Sequence, residues 1–199
     1  MITWTSKRPL AALAMLTLSA CEGGQGFSFG GGTGAPDKPL RQTALAGGAV
    51  QVVPPQGYCI DPKSLKRRFA LMARCDALGL PEVVTAAPRG ILTLALIEAE
   101  AEAPLPTPQQ VAEATGLSQL QEAGSIEGAT IFVAQGPVPA EGMSPRHWRG
   151  MARIGGHVAS VTLYGAPQSR AISEEGRALV ADLIQQSRSK SAKAAAAGS

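Results

Sequence analysis

Between Glu22 and Gly34 the chain carries seven glycines in thirteen residues. Such a segment has too little apolar surface to offset the backbone freedom lost on ordering, so it reads as a flexible tether. This divides the 199 residues: whatever packs lies after it, and what precedes it is a separate short piece. A glycine loop that cradles phosphate needs a strand before it and a helix after it. Here Ala20-Cys21 precedes and Ala35-Pro36-Asp37 follows. The first piece runs from Lys7-Arg8 through an apolar stretch, Leu10 to Leu18, to small residues ahead of Cys21, the order of an export signal. The stretch from Leu10 to Ala20 falls well short of the roughly twenty residues that a spanning helix requires. Residues 1–20 therefore read as a signal peptide.

The four residues Leu18-Ser19-Ala20-Cys21 resemble the lipobox of bacterial lipoproteins. The resemblance implies cleavage before Cys21, a diacylglyceryl thioether on its sulfur and acylation of the new amine, hence lipidation at Cys21. A thiolate is the side chain that forms a stable thioether with a lipid donor. Two or three acyl chains, at ~0.8 kcal/mol per buried methylene, hold a protein stably where one chain is marginal. In the same resemblance, Asp after the cysteine retains a lipoprotein at the inner membrane, and Glu22 stands at that position. The expectation is a lipid-anchored, periplasm-facing protein of the cell envelope, at the outer membrane in preference to the inner.

Residues 21–49, the lipidated Cys and tether, are sparse in large apolar side chains, so a globular domain is expected over 50–187. Within it Gln51 to Val53, Tyr58 to Ile60, Phe69 to Cys75, Ile91 to Ile97 and Thr130 to Ala134 are short apolar runs bounded by turn residues, and they read as strands. Trp148 to Ile154 and Val158 to Tyr164 flank Gly155-Gly156 and read as a hairpin. Thr107-Pro108 opens a helix that Gly116 stops. Ser173 with Glu174 and Glu175 opens a second, amphipathic helix with Leu179, Val180, Leu183 and Ile184 on one face. From Arg188 to Ser199 no bulky apolar residue occurs, and a disordered tail over 188–199 is expected. The sum is an α+β domain with a mainly antiparallel sheet and a C-terminal amphipathic helix packed on it. The order of elements, ending with Val158 to Tyr164 and then Ser173 to Ser187, resembles the PsbP/Mog1-type sandwich. Gly57-Tyr58-Cys59-Ile60-Asp61-Pro62 with Phe69 to Cys75 is also similar to small lipoproteins of alphaproteobacteria.

The formal charge of +3 sits in the ends, since Val50 to Ser187 holds 11 Lys or Arg against 13 Asp or Glu. No basic face with interleaved aromatics accompanies it, so nucleic acid is not an expected partner. With Cys21 taken by lipid, Cys59 and Cys75 make an even pair in an oxidising compartment and read as a disulfide, with two buried thiols as the alternative and redox or metal work as the remaining reading. His147 and His157 match no compact zinc spacing, and neither a metal nor a cofactor is expected. His147 reads as an exposed polar edge and His157 as a turn residue. The serine elbow Gly-x-Ser-x-Gly is absent, because Gly142-Met143-Ser144-Pro145 lacks the second glycine. Glu98, Glu100 and Glu102 alternate after a strand, the pattern of a solvated rim. No catalytic constellation emerges. Arg146, Trp148, Arg149 and Arg153 form a candidate interaction surface, since Trp and Arg are favoured interface anchors, with Lys66, Arg67 and Arg68 concentrating charge elsewhere. A charged edge strand is the plainer reading of the same residues. The functional expectation is a membrane-anchored binding or structural protein with a possible envelope protein partner. The alternative is a periplasmic enzyme or small-ligand carrier using a cleft between sheet and helices.

Overall fold

The computed structural model describes residues 38–80, 86–100 and 102–198. The signal segment, Cys21 and the glycine-rich tether lie outside the described residues. Those described form β1 (Thr43–Leu45), β2 (Val50–Val52), β3 (Tyr58–Ile60), β4 (Phe69–Arg74), β5 (Ile91–Glu98), α1 (Pro108–Thr115), β6 (Ser118–Ile126), β7 (Ala129–Gln135), β8 (Arg146–Ile154), β9 (His157–Tyr164) and α2 (Glu174–Ala197). Strands β3 to β9 make one antiparallel sheet in the order β3-β4-β5-β9-β8-β7-β6, and β1 pairs with β2 separately. The segment Pro54 to Gly57 joins the two sheets. The fold class is α+β, mainly antiparallel, with the C-terminal helix packed on the sheet.

Local chemistry accounts for the boundaries. The Thr107 hydroxyl accepts from the Gln110 N–H at 3.2 Å while the Gln110 side chain accepts from the Thr107 N–H at 2.9 Å, a reciprocal cap that starts α1. Gly116 ends it in the left-handed region at φ 66°. Gly155 and Gly156, at φ 54° and 78°, supply the two positive dihedrals of a tight hairpin and set Ile154 opposite His157.

The two faces of the sheet bury different sets. On one, Val180, Leu183 and Ile184 of α2 pack with Trp148, Ala152 and Ile154 of β8, with Val50 and Val52 of β2, and with the inward residues of β4, β5 and β9. Gly150 lets α2 lie close, because a Cβ there would stand 2.6 Å from Val180 Cγ1 and 2.9 Å from Ile184 Cδ1. On the other face Val111 of α1 packs with Phe132, Ala134, Met151 and Val158.

Four expectations change. The packed chain begins before Val50: Leu40 bridges Ile60, and β1 precedes β2. The tail is helical, since α2 runs unbroken through 188–197, past the expected limit of the domain. Its polar surface has partners that composition hides. Ser187 Oγ accepts from the Val53 N–H at 3.1 Å and Ser191 Oγ from the Gln51 N–H at 2.8 Å, so two helix serines satisfy the free edge of β2. Arg188 adds a bond from Nε to the Arg153 carbonyl at 3.1 Å. The third change is β6, a polar edge strand whose register to β7 shifts twice and therefore lacks a clean alternation. The fourth is β8, which lies between β7 and β9 and so is no edge strand.

Candidate functional site

The head of α2 builds the larger cleft. Ser173 caps the helix with its hydroxyl on the Glu175 N–H, and its carbonyl accepts from Trp148 Nε1 at 2.8 Å, which pins the helix start to the sheet. Gly176 is required there, since a Cβ would meet the Ala171 carbonyl oxygen at 1.8 Å. A short 3-10 turn, Arg170–Ile172, lies against this start and brings Arg170 to Glu175, with Nε donating to Oε2 at 2.6 Å. That pair, Arg41, Gln56 and Asp182 surround a cleft of about 500 Å³ whose apolar part is Leu179 and Pro88. Among the described residues Arg41 is exposed and has no ion-pair partner. Behind the cleft the Tyr58 hydroxyl donates to the Pro88 carbonyl at 2.8 Å. Burial holds its pKa far above that of an ordinary phenol, Arg74 opposes this and Glu175 adds to it, so Tyr58 remains a protonated donor. Guanidinium, carboxylate and amide groups beside an apolar patch are groups for recognition.

A second, more apolar groove of about 340 Å³ lies at the end of β4, β5 and β9, lined by Ala73, Ile91, Met143 and Ala166, with Arg89 and Glu141 at its border.

The cysteine pair is bridged. Cys59 of β3 and Cys75, just after β4, are joined with Cα atoms 4.9 Å apart, and both are fully buried. The two-thiol reading of this pair thereby falls away. Cys21 lies outside the described residues.

The Arg146, Trp148, Arg149 and Arg153 surface is not assembled as a single exposed patch. Trp148 is 1% exposed and points under α2, a core side chain rather than an interface anchor. Flanking arginines concealed this, because a strand that alternates between two covered faces can place charge at the border of either. Arg146 donates to Gln121 Oε1 at 2.7 Å, and Arg153 donates to the Glu100 carbonyl at 2.9 Å and to that of Ala103. Arg149 is half-buried, and its Nε donates to His147 Nε2 at 3.1 Å.

His147, expected at an exposed edge, is fully buried. Its Nδ1 lies 2.8 Å from the Pro145 carbonyl, so Nδ1 carries the proton and Nε2 accepts from Arg149. Burial lowers its pKa from 6.5 to about 4, the Pro145 bond opposes this and the Arg149 charge assists it. The ring stacks obliquely on Tyr164 at 4.7 Å. His157 stands at the hairpin turn, its Nδ1 3.0 Å from the Gly155 carbonyl. Glu98 pairs with Arg68, and Glu100 and Glu102 are exposed. No helix among the described residues is long and apolar enough to cross a membrane.

Sequence reasoning missed Arg41, Arg170 and Glu175 as members of one cleft. Only Glu175 carried a signal, as an acid in the first turn of a helix. No family model matches the chain, and no curated protein matches it. Among solved structures, a mutant of the protein Mog1 is similar, with a TM-score of 0.42 and 11% identity over 75% of this chain and 93% of that one. That likeness is distant and carries no residue across.

Proposed function

We propose that this chain is an exported protein, lipidated at Cys21, that stands in the bacterial cell envelope facing the periplasm and has a binding or structural role there. The observation that carries this reading is the buried Cys59 to Cys75 bridge inside the core. Disulfides persist in oxidising compartments and are rare in reducing ones. That agrees with an apolar signal ending at Leu18-Ser19-Ala20-Cys21, and Glu22 favours the outer membrane. The partners in this reading are the membrane, through the acyl chains, and an envelope protein. The test is fractionation of cells producing the natural protein or Cys21→Ser. The natural protein partitions with membranes and needs detergent for release, whereas the variant is unprocessed or soluble. Equal fractionation and gel mobility of the two would overturn it.

A second reading, a carrier of a small polar ligand, is favoured by the cleft at the head of α2, where guanidinium and carboxylate groups converge around about 500 Å³. Native mass spectrometry of protein gently isolated from membranes decides it. A bound small molecule lost in Arg170→Ala supports the carrier, and a bare protein mass in both removes it.

A further inference from the structure

The charge of the domain is unevenly placed. Residues 38–68 contain six Lys or Arg against the single Asp61, whereas residues 86–198 contain nine against ten Asp or Glu. The fold gathers most of the first group along one edge of the sheet. Leu40 bridges Ile60 of β3, the edge strand, which brings Lys38 alongside the segment that continues into Lys63. Lys66 and Phe69 exchange backbone bonds at 3.0 and 3.3 Å, so Lys66, Arg67 and Arg68 occupy a tight turn at the entry to β4. Arg68 is held by Glu98. Lys38, Lys63, Lys66 and Arg67 are exposed, and none has an ion-pair partner among the described residues.

Apolar surface lies beside these cations. The Leu96 N–H donates to the Arg68 carbonyl, and Ile97, the next residue of β5, is 50% exposed. Phe69 and Leu71, on the sheet face away from α2, are half-buried. Exposed cations with an exposed apolar side chain, Ile97, near the turn that carries them match a layer of anionic head groups over acyl chains. This is also the edge at which the chain enters the domain.

We infer that the edge formed by Lys38, Lys63, Lys66 and Arg67 docks on anionic phospholipid head groups and so orients the domain on the membrane. The orientation rests on the lipid-anchor reading above, whereas the affinity of the edge for anionic lipid does not. Each cation near such a surface is worth about a fivefold gain in partitioning, so several together hold the edge down. The attraction weakens with salt as the screening length shrinks from about 10 Å at 0.1 M.

The experiment uses the natural protein isolated from membranes and mixed with vesicles of neutral phosphatidylcholine or of phosphatidylcholine with one-third phosphatidylglycerol. Flotation is measured first, then the acetylation rate of Lys63 and Lys66 by mass spectrometry. The expected result is flotation on both vesicle types, with acetylation at least about fivefold slower on the anionic ones and the difference abolished in 0.5 M salt. In Lys38→Gln/Arg67→Gln the protection of Lys63 and Lys66 falls back towards the neutral-vesicle rate. These positions are exposed, so the variant keeps the fold, which retention of the disulfide and of the circular dichroism spectrum verifies. Flotation on both with equal acetylation overturns the docking edge and leaves the anchor standing. Flotation on anionic vesicles alone supports the edge and removes the anchor.

Discussion

Removing the Cys59 to Cys75 bridge has a magnitude that follows from its place in the chain. The two residues are 16 apart, so in the unfolded ensemble the bridge closes a loop of that size. The chain-entropy relation gives ~3 kcal/mol for such a loop. Both sulfurs are fully buried beside the β3 and β4 pairing, so Cys59→Ala/Cys75→Ala also loses packing and the loop estimate is a lower bound. For a domain of this size about 1 kcal/mol shifts the melting temperature by roughly 2–4 °C, so the double variant melts about 6–12 °C lower. The assay is thermal unfolding by circular dichroism, with the natural protein run with and without a reductant that reaches the bridge. Reductant lowers the natural melting temperature to near that of the variant and leaves the variant unchanged. A shift under about 2 °C in both comparisons would refute the reasoning, since the bridge would then constrain nothing that the sheet does not already hold.

Gly150→Ala drives a methyl group into Val180 and Ile184 and costs about 1–3 kcal/mol, read as a fall in melting temperature of several degrees. Ser187→Ala and Ser191→Ala leave the Val53 N–H, just after β2, and the Gln51 N–H within it without their acceptors, at about 1–2 kcal/mol apiece, and hydrogen exchange at Val53 and Gln51 accelerates while the core of β8 is spared. His147 binds its proton more weakly in the fold than in the unfolded chain, so its stabilising effect is complete above pH 6.5 and is lost as pH falls towards about 4. Melting followed across that window declines less steeply in His147→Asn than in the natural protein.

Sequence resolved those elements whose boundaries are chemical. Thr107-Pro108 and Gly116 marked α1, the paired glycines marked the β8 to β9 hairpin, and Ser173 with two acids marked the start of α2, because each residue acts through its own backbone. The spacing of Cys59 and Cys75 permitted a bridge but could not choose it over two thiols, since the choice depends on the pairing of β3 with β4. What stayed hidden depends on distant partners. Ser187 and Ser191 continue the stripe of Val180 and Ile184, yet hydroxyls in that stripe have a role only once β2 lies beside them. The arginines around Trp148 and His147 suggest exposure, whereas the two layers that cover β8 decide their burial. The cleft escaped because Arg41, Arg170 and Glu175 are separated in sequence and united by the docking of α2.

The central claim is that the chain is exported and lipidated, and the mass of its N-terminal peptide tests that most directly. In protein purified from its native membranes the account predicts that this peptide begins at Cys21 and carries a diacylglyceryl group with or without a further acyl chain. A peptide that retains Leu18-Ser19-Ala20 ahead of an unmodified Cys21 would contradict it.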